Sequence, residues 1–126
     1  MNNLDSIQVP VTFKGVKLKL PFILFVGWTP ENRREFVAEL RAMLALTEKL
    51  PELGKANLPD IALEAKNAKV ITDGHFDRVN KFCDNVPANS WEETKVQHAL
   101  MEEGLATFWI QTQINMMDVK AESWHV

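Results

Sequence analysis

The sequence predicts an α+β fold, with an N-terminal β-hairpin packed on about four helices and a long C-terminal helix. Three observations predict it. Residues 7–22 alternate apolar and polar about a single Lys-Gly pair. After Thr29-Pro30 the apolar residues change to helical spacing. The stretch 91–118 keeps that spacing without a proline.

The hairpin occupies about residues 6–26 and is carried by "VPVTFKGVKLKL", which begins at Val9. A two-residue loop pairs the residues that flank it. With Lys14-Gly15 as that loop, Phe13 faces Val16, Val11 faces Leu18, Val9 faces Leu20 and Ile7 faces Phe22. All eight are apolar and share one side of the pleat. The other side carries Gln8, Pro10, Thr12, Lys17, Lys19 and Pro21. Proline cannot donate to a ladder, so the sheet is small and edge-like. A lone hairpin is marginal in water, so its apolar face requires a cover.

Helices supply the cover. The first, about 30–50, opens with Thr29 as N-cap and Pro30 at its first position. Phe36, Val37, Leu40, Met43, Leu44 and Leu50 form its apolar stripe, and Pro51 and Gly54 end it. The second spans about 59–69, with Pro59 early. The third spans about 74–85, capped by Thr72 or Asp73 and buried through Phe76, Val79 and Phe82. The last runs 91–118 from a capping box, Ser90 with Glu93. No repeat, linker or low-complexity tract divides the chain, so residues 1–126 read as one domain.

The chemistry of the sequence is sparse. Cys83 is the one cysteine, so no disulfide forms within the chain. The N-terminus lacks the basic and apolar regions of a signal peptide. The longest apolar run, near Phe22 to Trp28, is too short to span a bilayer. These features predict a cytoplasmic protein without a membrane contact. A net charge of −3 argues against general nucleic-acid binding, which draws on basic excess. A local basic patch remains in Lys14, Lys17, Lys19, Arg33 and Arg34. Lysines on an edge hairpin chiefly guard against strand-on-strand aggregation, and an acidic partner or nucleic acid is the alternative reading.

No metal or cofactor motif is present. His75, His98 and His125 stand at no metal-binding spacing from one another or from Cys83. Asp73, His75, Asp77 and Cys83 mark where an unfamiliar enzyme site would lie. Their plain reading is a capped helix start and a structural thiol. Glu92-Glu93 and Glu102-Glu103 point about 100° apart within each pair, so neither is a ready acid–base dyad.

The last helix has two apolar stripes on a helical wheel. Met101, Leu105, Phe108, Trp109, Thr112 and Met116 form one. Ala106, Ile110, Ile114 and Met117 form the other. One stripe suffices to face a core. The second, with Trp124 in the tail, is therefore the expected partner-binding surface. In outline, a hairpin followed by helices resembles small phage adaptor and assembly proteins, with no motif behind the likeness. The expected function is a small non-enzymatic interaction or assembly protein, binding a protein partner or itself. An inhibitor of a host or nucleic-acid-processing enzyme, acting through acidic faces, is the first alternative. An enzyme around Asp73, His75, Asp77 and Cys83 is the second.

Overall fold

A computed structural model describes residues 6–23, 27–85, 100, 102–119, with the side chains of Ser6, Asn85, Asp118 and Val119 left aside. Strands β1 (Ser6–Phe13) and β2 (Val16–Ile23) form a two-stranded antiparallel sheet. Its register is the one the alternation predicts: Phe13 opposite Val16, Val11 opposite Leu18, Val9 opposite Leu20, Ile7 opposite Phe22. Lys14 (φ 51°) and Gly15 (φ 81°) both lie in the left-handed region. That geometry matches the twist of the two strands, and glycine adopts it without penalty.

Four α-helices follow among the described residues. Helix α1 spans Pro30–Lys49, and the Thr29 side chain accepts from the Asn32 N–H at 3.0 Å. A short 3₁₀ turn covers Leu53–Lys55. Helix α2 spans Leu58–Asn67, where the Asn57 side chain accepts from the Asp60 N–H at 2.9 Å. Helix α3 spans Asp73–Asn85, and Thr72 is its cap, accepting from the His75 N–H at 3.1 Å. Helix α4 spans Leu105–Val119. Each of the first three starts where a short polar side chain satisfies an orphan amide.

The last helix corrects the expectation of a continuous run from 91 to 118. Gly104 has φ +92°, and the chain turns through 102–104 before α4 begins. The Gly104 carbonyl accepts from both the Phe108 N–H and the Thr107 hydroxyl. A left-handed glycine ends one helical path and starts another. The proposed Ser90–Glu93 capping box lies outside the described residues.

Helix α4 docks against the outer edge of β2. In a hairpin closed by two residues, alternate pairs exchange both ladder bonds, so Pro21 and Ile23 aim their backbone polar groups outward. The Trp109 indole Nε1–H donates to the Pro21 carbonyl at 2.6 Å. The Ile23 N–H donates to Gln113 Oε1 at 2.8 Å. Pro21 and Ile23 are consequently buried, although the alternation placed Pro21 on the polar side. The Trp109 ring stacks on Phe22 of β2 (centroids 5.7 Å apart) and meets Phe82 of α3 at 5.6 Å. One side chain thus joins the sheet, α3 and α4 into a single apolar cluster, which also takes Phe36, Leu40 and Met43 from α1 and Leu58, Ile61 and Ala65 from α2.

Two outcomes test this packing. Trp109→Phe leaves the Pro21 carbonyl without its donor and opens space in the core, and should lower stability by about 2–3 kcal/mol. An unchanged urea midpoint would refute the docking. Lys69 ends α2 at φ +62°, with the Val70 N–H bonded to Ala65 O and its own N–H to Lys66 O. This Schellman geometry favours glycine, so Lys69→Gly should stabilise by about 0.5–1 kcal/mol, read by thermal melting.

Candidate functional site

The sequence of α1 places Glu35 and Glu39 one turn apart, so both lie along one face of the helix. Phe36, between them, turns into the core and packs edge-on against Trp28, centroids 5.3 Å apart. Helix α3 brings the opposite wall. Its first turn carries Gly74 and His75, and its second carries Arg78. Between the two helices lies a half-open cleft of about 410 Å³, lined by residues of both and by Thr72.

Two layers of interaction hold the cleft. Glu39 is the latch: its carboxylate accepts from the Thr72 N–H at 3.2 Å and from the Thr72 hydroxyl at 2.9 Å. A carboxylate at the start of α3 also meets the positive end of the helix dipole. Behind it sits His75, 3% exposed. Its Nδ1 lies 3.6 Å from Glu39 Oε2, and among the described residues no hydrogen bond reaches that nitrogen. Its Nε2 lies 3.3 Å from the Met43 sulfur. Burial, with the neighbouring Arg78 guanidinium, holds the imidazole pKa down to about 4, so the ring is neutral at pH 7. Arg78 is half-buried and spread over the Trp28 ring at 5.0 Å and the Phe36 ring at 5.9 Å.

Both ring nitrogens of His75 face groups of its own chain. A general base needs a nitrogen within reach of a reacting proton. The two nitrogens of His75 face a methionine and a carboxylate already engaged by Thr72. Of the expected enzyme group, the cleft takes only His75. Asp73 and Asp77 are exposed and do not line it. Cys83 also lies off the cleft, half-buried on α3, and burial together with Asp84 pushes its thiol up to about 12. That opposes thiolate formation at neutral pH. Among the described residues no cluster of three or more His, Cys, Asp or Glu stands ready to hold a metal ion.

The expected partner surface is corrected by burial. Ala106, Ile110, Ile114 and Met117 are each 1% exposed or less, covered by their own chain. The reason is Gln113, which at 100° per residue lies between the two stripes. It is fully buried because its Oε1 takes the Ile23 N–H, so the stripes are flanks of one broad core-facing arc. The outer part of the arc is instead the first stripe, where Phe108, Thr112 and Met116 are only half-buried. Trp124 lies outside the described residues. The basic patch is also redrawn. Lys14, Lys17, Lys19 and Arg34 are exposed, but Arg33 is 6% exposed and its Nη1 donates to the Trp28 carbonyl at 3.2 Å.

Sequence reasoning did not find Glu35, Glu39, Thr72 and Arg78 as a group. Nothing in the linear pattern pairs residues 35–39 with 72–78; only tertiary packing does. The chain matches no protein-family model, no curated protein and no solved structure. Among the described residues no helix is long and apolar enough to cross a membrane.

The buried histidine sets a pH dependence. In the unfolded chain the imidazole takes up a proton near its usual 6.5, and in the fold only near 4. Between those values the unfolded state binds more protons, so stability is full above about pH 6.5 and drains as the pH falls toward 4. The loss should reach about 3 kcal/mol. Urea titrations at stepped pH measure it, and His75→Phe should flatten the slope over that window.

Proposed function

We propose that this chain is a small non-enzymatic interaction or assembly protein that acts through contact with another protein chain. The observation that carries this reading is the unequal cover of the sheet. Along β2 the inward residues Leu18, Leu20 and Phe22 are buried. Along β1 their partners Ile7, Val9 and Val11 remain half-exposed, and so do Val16 at the turn and Phe108 and Met116 on α4. Val9, Val11, Val16, Phe108 and Met116 pack on the core with their outer surfaces open. Open apolar surface of this kind marks a contact site.

The exposed face of the hairpin supports the same reading. Lys17 and Lys19 lie exposed on β2, and Pro10 removes a donor from the outer edge of β1. Both features discourage pairing of strand edges. Association is therefore directed to the apolar side chains and away from the sheet edges. An adaptor or assembly subunit, working in the cytoplasm, is the form this role takes.

Gel filtration of a native-source extract tests the proposal. The chain should elute well above the mass of one copy. Val9→Thr combined with Val11→Thr keeps the strand shape and adds two hydroxyls to the open surface. That variant should fold, by circular dichroism, and elute as a single chain. A wild-type chain that elutes alone from the extract would overturn the reading.

A further inference from the structure

We propose that the outward face of α4 binds a second copy of this chain, as an antiparallel pair about a two-fold axis near Thr112. This inference rests on the association proposed above and names its partner. Phe108, Gln111, Thr112, Asn115 and Met116 recur at helical spacing along that face. Gln111 and Asn115 are exposed, and the other three are half-buried. Charged residues make up 25% of the chain, yet none lies between Leu105 and Met117. The solvent side of a helix ordinarily carries charged residues as well as polar ones. Helix α1 does so, exposing Arg34, Glu35, Arg41 and Glu48. Strand β1 shares the trait of α4: Ser6–Phe13 has no charged residue, and the Phe13 ring lies 4.9 Å from that of Phe108.

The missing charge selects the partner. A charged residue brought against this face would lose its water and find no counter-charge on it. Each chain carries a net charge of −3, so two copies meet with least repulsion where neither is charged. The groups that the face does carry pair with themselves. A two-fold axis brings the same patch of both copies together. Phe108 and Met116 stand four residues either side of Thr112. In the antiparallel pair each Phe108 therefore meets Met116 of the other copy, a favourable contact of ring and sulfur. The amides are equally reciprocal. Gln111 Nε2 donates to Asn115 Oδ1 at 3.0 Å, which leaves Gln111 an acceptor oxygen and Asn115 its two donors. Across the axis the acceptor of one copy finds the donors of the other. An aromatic ring and a methionine without charge are also the composition of an interface centre.

Light scattering on the purified full chain, over a concentration series, reads the mass. It should rise to that of two copies. Thr112→Lys and Thr112→Asp each set like charges face to face, and each should weaken self-association at least about tenfold. An equimolar mixture of the two variants puts opposite charges at the axis and should restore the double mass. Circular dichroism checks that both fold. If either does not, Gln111→Lys, at an exposed position, replaces the pair and should weaken self-association by the same factor. A purified chain of single mass at every concentration would overturn the second copy. If that chain still elutes high from the extract, the proposed association stands with a different partner. Self-association unchanged by these substitutions, or a mixture that stays single, would also overturn the inference.

Discussion

A two-stranded sheet has one face to bury and two edges whose polar groups need partners. In this chain the edge of β2 is closed by α4, through the indole of Trp109 and the amide of Gln113. The rest of the architecture follows from that closure. Neither bond is available to a sheet partner, because Pro21 has no N–H to give and Ile23 has already given its own. With the edge closed, Trp109 lies flat on Phe22 and draws α3 in through Phe82. Among the described residues the Nε2 group of Gln113 has no partner, so the polar anchor leaves a donor group unsatisfied there. A donor left in that state costs on the order of 1–3 kcal/mol, which the surrounding burial must offset.

The second polar device lies nearer the surface, where α1 meets the start of α3. Glu39 joins α1 to the first turn of α3 by bonding Thr72, and Thr72 in turn caps α3. Three functions therefore meet in two side chains: a tertiary latch, a helix cap and one wall of the cleft. His75 is enclosed behind them as a neutral ring, in contact with Phe36 at 5.0 Å. The aromatic residues on this side thus orient charged and polar groups, while those near Trp109 fill space. The two halves of the core do different physical work.

The sequence made the hairpin register fully legible, since a period of two and a Lys-Gly loop leave one consistent pairing. It also made two helix starts legible, because Thr29 and the Thr72-Asp73 pair are short polar residues that precede apolar periodicity, whereas the Asn57 cap of α2 was not read. It misled at α4. Gly104 was passed over inside an apparently continuous helical pattern, and Gln113, which lies between the two stripes on the wheel, was not read at all. Burial of Gln113 depends on the Ile23 amide, 90 positions away in the chain. The cleft was hidden for the same reason. Of its residues only His75 stood out beforehand as a candidate site residue, and it stood out beside the wrong neighbours, Asp73 and Asp77.

Gly104 has a consequence for how the chain tolerates change. In an uninterrupted helix each inserted or deleted residue rotates everything downstream by about 100°. The left-handed glycine breaks that mechanical coupling, and the Thr107 hydroxyl on its carbonyl sets the phase of α4 afresh. Length variation before Gly104 therefore does not turn Trp109 or Gln113 away from β2. The angular setting of the anchor helix is a local property of four residues, insulated from the length of the chain that leads to it.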